Sequence, residues 1–178
     1  MTKNITQITQ ERWNNHVLNF HYTSKNYYDV EISHNLNSFN VSFTKRPFDT
    51  PITKNFVFNL FQPWNTDVKS WGIIENNNIV AVIETAVEGW SNKLRIPALW
   101  IDDAYHRQGI GAALINFAIQ RAKDENRRMI IVETQSCNEN AIAFYLACGF
   151  TLVGFDACCY GNDDIAKKEV LLQFGLQI

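Results

Sequence analysis

The sequence predicts an α/β domain with a mixed central β-sheet flanked by helices. Three observations carry that prediction. The first half of the chain is made of short runs rich in β-branched and aromatic residues, broken by asparagine and proline. The segment from Gly109 to Lys123 repeats apolar residues at helical spacing. From Leu94 onward the order reads strand, helix, strand, helix, strand, strand, which is the order of a mixed sheet with helical crossovers.

Tyr27 to Ser33 and Phe39 to Phe43 read as alternating strands on either side of the turn-forming stretch His34-Asn35-Leu36-Asn37. Phe56 to Phe61 reads as a short helix or a short strand. Trp71 to Glu75 and Ile79 to Thr85 flank Asn76-Asn77-Asn78, a hairpin signal. Leu94 to Ile101 is another strand, with Pro97 at an edge or irregular point. In the helix from Gly109 to Lys123, Ile110, Leu114, Ala118 and Ala122 recur every four residues, with Ile115 and Ile119 beside them. Met129 to Glu133 is a short buried strand. Asn138 to Ala147 is a second helix, with Asn138 as its N-cap and Gly149 as its stop. Phe150 to Cys159 and Lys168 to Phe174 read as closing strands.

The 178 residues fit one domain over 1–178, large enough to bury a core. A net charge of −2 lacks the basic surplus of a general nucleic-acid binder. The cysteines, Cys137, Cys148, Cys158 and Cys159, show no CxxC pair and no zinc-ligand spacing, so no metal site is expected. No apolar run approaches the roughly 18 residues needed to cross a bilayer, and the polar N-terminus has no apolar signal core. The expectation is a cytoplasmic protein with reduced thiols and no membrane partner; a homodimer is left open.

The segment from Leu99 to Leu114 carries the chemistry. A strand runs through a short loop into a long helix that Gly109 and Gly111 open. The first turn of a helix has unpaired N–H groups and the positive end of its dipole, and glycines let an anion approach the backbone. That combination suits phosphate. The GxxxxGK[ST] nucleotide loop is absent, and Leu114 breaks the GxGxxG dinucleotide fingerprint, which makes a nucleotide-dependent oxidoreductase a poor reading.

The segment resembles the coenzyme A signature of the GNAT superfamily of N-acetyltransferases: Arg or Gln, two variable residues, Gly, one variable residue, then Gly or Ala. Gly109 and Gly111 are the glycines here. His106 stands where Arg or Gln is usual, at a position contacted largely through backbone, and Arg107 can supply the charge. Asn138-Glu139-Asn140-Ala141-Ile142-Ala143-Phe144-Tyr145, followed by Cys148-Gly149-Phe150, resembles the family's Asn-x-x-Ala-x-x-x-Tyr helix and its trailing Gly-Phe. The two matches occur in the family's order, and the resemblance runs over about residues 71–174. A narrower, scattered similarity to streptothricin acetyltransferases lies in Glu133-Thr134-Gln135, in Cys-Gly-Phe at 148–150, and in Asp156 four residues before Tyr160.

The resemblance implies two neighbouring parallel strands, Leu94–Ile101 and Met129–Glu133, that splay apart around the pantetheine arm of acetyl-coenzyme A. It implies coenzyme contacts from Trp100 and Ile101, from the loop Arg107, Gln108, Gly109, Ile110, Gly111 and Ala112, and from Asn138 and Tyr145. The implied reaction moves an acetyl group onto an amine, which must be neutral when it attacks. For a lysine-like amine that is a deficit of roughly 4–5 kcal/mol at neutral pH. A base has to offset it. A backbone N–H near Ile101 is expected to serve the oxyanion. Tyr145 is the residue expected to face the coenzyme sulfur as a proton donor, against the plainer reading of a core tyrosine. Acidic residues common on the strand before the loop are missing at Pro97-Ala98. Glu133 is the first substitute for the base, Glu84 the next and Asp102 a third, each also readable as a plain surface or substrate-binding charge. Trp64, Trp71, Trp90 and Trp100 read either as a pocket wall or as core. The expected acceptor is a small-molecule amine, with a streptothricin-type antibiotic, and so antibiotic resistance, as the named candidate. A peptide or protein amine, and a binding module that holds acyl-coenzyme A without turnover, are the alternatives.

Overall fold

The computed structural model describes residues 4–178. Nine strands and four short-to-medium helices appear among them. The strands are β1 (Thr6–Ile8), β2 (Val17–Asn35), β3 (Ser38–Asn59), β4 (Lys69–Glu75), β5 (Asn78–Glu88), β6 (Lys93–Ile101), β7 (Met129–Gln135), β8 (Thr151–Asp156) and β9 (Leu171–Gln177). The helices are α1 (Gln10–Trp13), α2 (Ile110–Asp124), α3 (Glu139–Ala147) and α4 (Asp164–Lys167). Seven strands form one mixed sheet in the order β1-β4-β5-β6-β7-β9-β8, and β2 pairs with β3 in a separate two-stranded sheet. No described helix is long and apolar enough to cross a membrane.

The chain gathers into two compact units. One holds the residues up to Phe20, residues 56–132 and residues 175–178; the other holds 21–55 and 133–174. In the first unit, β4 and β5 form the expected hairpin. Asn76 and Asn77 take positive φ, 48° and 65°, as the tight turn matching strand twist requires. Val80 to Ala86 are buried without a break, which marks β5 as a central strand covered on both faces. A core forms around Ile8, Leu18, Leu60, Phe61, Val82 and Ala98, with Trp100 packed against it. Helix α2 buries Ile110, Leu114, Ile115, Ala118 and Ala122, the stripe that its spacing foretold.

β6 and β7 are the parallel pair. Their register runs from Lys93↔Met129 to Ile96↔Val132 and ends there, directly before Pro97. β6 continues to Ile101 along β5, with Ala98 opposite Glu84 and Ile101 opposite Ala81, and the β5–β6 register shifts between Glu84 and Ala86. Pro97 has no amide hydrogen for a ladder bond, and it falls at this irregular point.

In the second unit, α3 has both ends fixed locally. Asn138 accepts a hydrogen bond from the Ala141 amide at 3.2 Å. At the other end the Gly149 amide reaches Leu146 O at 3.0 Å and the Phe150 amide reaches Tyr145 O at 3.1 Å, a glycine stop with Gly149 at φ 88°.

Four element readings change, the first being that the strand expected over Phe150–Cys159 is β8 alone and stops at Asp156, with Cys158 and Cys159 in the turn and bend after it. The strands expected at Tyr27–Ser33 and Phe39–Phe43 are parts of the much longer β2 and β3, which turn at Leu36-Asn37. Leu18, Phe20, Tyr22 and Ser24 already alternate inward at period two, but polar neighbours mask the run. Of Phe56 to Phe61, open between helix and strand, Phe56 to Asn59 belongs to β3, and Leu60 and Phe61 form a bend after it, with Phe61 at φ 61°. The last strand begins at Leu171 rather than Lys168, because Lys168 at φ 64° ends α4.

Candidate functional site

The loop between β6 and α2 is built around positive φ angles. Asp102 ends β6 and accepts a bond from the Ala104 amide at 3.0 Å, which closes a single 3-10 turn over Asp103–Tyr105. Asp102 is thus occupied as a local turn cap. His106 turns back and donates through Nε2 to Ile101 O at 2.9 Å. Tyr105 donates to Glu75 at 2.8 Å, and Gln108 donates to Ala104 O at 3.1 Å. These bonds fasten the loop from behind. Arg107, at φ 58°, and Gly109, at φ 77°, then swing the chain into α2.

What the start of α2 lacks is informative. Gly109 is its N-cap and offers no side-chain acceptor, and the first turn contains no acidic residue. Helix geometry leaves the amides of Ile110, Gly111 and Ala112 without intrahelical carbonyls, while the Ala113 amide reaches Gly109 O at 3.0 Å. A Cβ built on Gly109 meets nothing within 4 Å, so open space lies over the loop. Arg107, Gln108, Gly109 and Ala112 are exposed. A long helix with a bare positive end, beside an exposed arginine, fits a phosphate-bearing ligand such as the pyrophosphate of coenzyme A.

Trp100 and Ile101 lie on the length of β6 that runs on past the parallel ladder. The Trp100 indole donates to Asn19 O at 2.9 Å and packs on the core, so its side chain is structural and only its backbone is offered. Glu84 is fully buried. One oxygen accepts from the Phe61 amide at 2.8 Å and from Ser70 at 3.0 Å, and the other has no hydrogen-bond partner among the described residues. Burial pushes its carboxyl upward, against the lowering effect of those two donors. The tryptophans divide. Trp71 carries the Arg121 guanidinium 3.6 Å from its ring centre, whereas exposed Trp64 and Trp90 line a shallow recess of about 320 Å³ with Glu88 and Arg95.

In the second unit Tyr145 is buried among Phe144, Phe150 and Phe174, with ring centres 5.4, 5.9 and 6.3 Å away. Burial raises its phenol well above the ordinary value, with a smaller push from Cys148, so it keeps its proton. Glu133, expected at the strand end, lies two residues before the end of β7, is half-buried and accepts from Gln173 at 2.8 Å. Two residues further along β7, Gln135 gathers partners that sequence patterning did not single out. Tyr22 donates to Gln135 at 2.6 Å, Gln135 donates to Glu169 at 3.4 Å, and Lys54 pairs with Glu169. Tyr22 and Lys54 come from β2 and β3, whose alternation was the one available signal.

The motifs, the parallel pair and the bare glycine-led helix are those of a coenzyme A-dependent acetyltransferase fold. The chain belongs to the acetyltransferase (GNAT) family, whose sequence profile matches residues 35–150. Among curated relatives it is 29% identical over 98 residues to streptothricin acetyltransferase A of Bacillus subtilis strain 168, covering 55% of this chain and 56% of that protein. It is 31% identical over 67 residues to N-acetyltransferase 8 of Homo sapiens, covering 38% of this chain and 30% of that protein. The matches thus span about half or less of those relatives' lengths. Among solved structures, a nourseothricin acetyltransferase aligns with a TM-score of 0.74 at 19% identity over 99% of both chains. A protein from Bacillus anthracis strain Ames, described as a streptothricin acetyltransferase and solved with acetyl coenzyme A, aligns with a TM-score of 0.73 at 22% identity, covering 100% of this chain and 98% of that one. At these identities the two structures show a shared fold.

Proposed function

We propose that this protein is a cytoplasmic enzyme that transfers the acetyl group of acetyl-coenzyme A to a primary amine of a small molecule. The observation that carries the reading is the bare N-terminus of α2, with no capping side chain and no acidic residue in its first turn. Membership of the acetyltransferase family supports the same donor. Arg107, Gln108, Gly109, Ile110, Gly111 and Ala112 would hold the pyrophosphate, and the backbone of Trp100 and Ile101 the pantetheine arm. The family motif assigns Asn138 and Tyr145 to the same molecule. Bound there, acetyl-coenzyme A supplies the activated carbonyl.

The chain's own work is to move protons. Glu133 accepts a proton from the acceptor's ammonium, easing the roughly 4–5 kcal/mol needed to neutralise a lysine-like amine. Tyr145 keeps its proton on Oη because its burial disfavours the phenolate; it would hand that proton to the leaving sulfur only as it takes the second proton given up by the attacking nitrogen, so that the phenol is restored. A streptothricin-type antibiotic is the first acceptor to try, supported by the relatives named above, and its acetylation would amount to antibiotic resistance.

The test is release of coenzyme A thiol from acetyl-coenzyme A over a panel of streptothricin, aminoglycosides, polyamines and lysine-containing peptides. Turnover with a small-molecule amine supports the proposal, and turnover restricted to peptides moves the acceptor class. Tight binding of acetyl-coenzyme A without any turnover would leave a binding module, and no binding would refute the reading of the α2 loop.

A further inference from the structure

Glu133 and Gln135 project from the same face of β7, because residues two apart along a strand share a face. On that face the β2–β3 hairpin meets the strand end. Tyr22 of β2 donates its hydroxyl to Gln135 Oε1 at 2.6 Å and stands 3.2 Å from the Cys137 thiol. The Gln135 amide donates to Glu169 Oε2 at 3.4 Å, and Lys54 of β3 holds Glu169 Oε1. A cationic acceptor that reaches Glu133 therefore meets Glu169 along the same wall. The charge of Glu169 is already answered by an ammonium of the chain itself. The two side chains keep 35% and 20% of their surface, so solvent and solutes reach the pair.

We propose that Lys54 is a specificity-determining residue of the transfer reaction: by holding Glu169 it limits the acceptor to the ammonium taken by Glu133, and its loss turns Glu169 into a contact for a second ammonium. The inference rests on the reading that an amine is acetylated at Glu133. A carboxylate on a partly buried wall gains most from a charged N–H donor. Once Lys54 is gone, a diamine can supply that donor and a monoamine cannot. The substrate class at stake is diamines of lysine-like length against monoamines of the same length.

Lys54→Met keeps an apolar stem over the wall and removes the ammonium. Acetyl transfer from acetyl-coenzyme A is measured with cadaverine and with pentylamine, which share a carbon chain and differ by one ammonium. The cadaverine-to-pentylamine ratio of kcat/KM is expected to rise about tenfold in Lys54→Met, mainly through KM, the scale of one charge-assisted contact. Adding Glu169→Gln is expected to return the ratio to the wild-type value. A merely structural Lys54 would lower both acceptors alike; an unchanged ratio overturns the proposal, and so does a rise that survives Glu169→Gln. If wild-type protein acetylates neither of these two amines, the transfer reading stands or falls on the wider acceptor panel. The same ratio, taken from calorimetric dissociation constants of the two amines in the presence of acetyl-coenzyme A, still decides the role of Lys54.

Discussion

Replacing Glu139 with glutamine tests how the β2–β3 hairpin is fastened to the start of α3. One carboxylate accepts the Lys25 amide at 2.7 Å, the Asn26 amide at 3.0 Å and the Asn26 side chain at 2.8 Å, and pairs with Lys45 at 3.0 Å. Burial pushes the carboxyl upward, but the donors from Asn26, Lys45 and the Lys25 amide outweigh it and hold the group at about 2, below its ordinary 4.5. A gap of that size corresponds to about 3 kcal/mol. Lys45 is 51% exposed, so water screens its share, and about 2 kcal/mol is the working figure. Because the folded value is depressed, the contribution is fully present above the unfolded value of 4.5 and is lost as pH falls through about 2. Glu139→Gln keeps one acceptor oxygen and removes the charge. Near neutral pH the variant should be less stable by about 2 kcal/mol, or about 4–8 °C in Tm for a chain of this size. The assay is urea unfolding followed by circular dichroism, repeated from about pH 7 down to about pH 3.5, where the gap between wild type and variant should narrow by about 1 kcal/mol. A gap that stays constant over that range, or one below about 0.5 kcal/mol at neutral pH, would refute the clamp.

Three further outcomes are expected. Gly109→Ala meets no clash but must hold φ at 77°, which costs about 1–2 kcal/mol of backbone strain; calorimetry should show weaker acetyl-coenzyme A binding, and unchanged affinity would count against the loop. Tyr145→Phe should lower kcat while leaving acetyl-coenzyme A affinity nearly intact, and unaltered turnover would make the tyrosine purely structural. Glu84→Gln should raise Tm at neutral pH, because the raised carboxyl of Glu84 withholds stability as pH climbs above its unfolded value, and the amide oxygen can still accept from Phe61 and Ser70. A lower Tm in that variant would mean that the buried charge is better solvated than its contacts indicate.

Much of the fold was legible because its signals are local. The Asn76-Asn77 turn, the Asn138 cap, the Gly149 stop and the Gly109 entry to α2 each depend on the φ of one or two residues or on a bond spanning a few positions. The apolar stripe of α2 is likewise set by a period of a few residues. The long hairpin was only partly legible. Its strands alternate, but in a two-stranded sheet much of both faces stays wet, so polar residues interrupt the pattern that a buried strand would show. The boundaries of β9 shifted for a local reason of another kind, since nothing in the run from Lys168 announces that lysine's left-handed φ.

The sequence by itself determined the order of elements from β4 to α3, the glycine-led start of α2 and the family motifs around Tyr145, because each is written in neighbours along the chain. Only the tertiary structure decided which carboxylates are available. Glu84 and Glu133 both looked like candidate bases, yet one is sealed under Phe61 and Ser70 and the other stands half-buried beside Gln173. Only the tertiary structure brought Tyr22 to Gln135 and Lys54 to Glu169, partners 113 and 115 residues apart. A side chain's type is carried by the chain, but its burial and its partner are set by what folds against it, and those two properties decide whether a carboxylate binds, titrates or stays shut away.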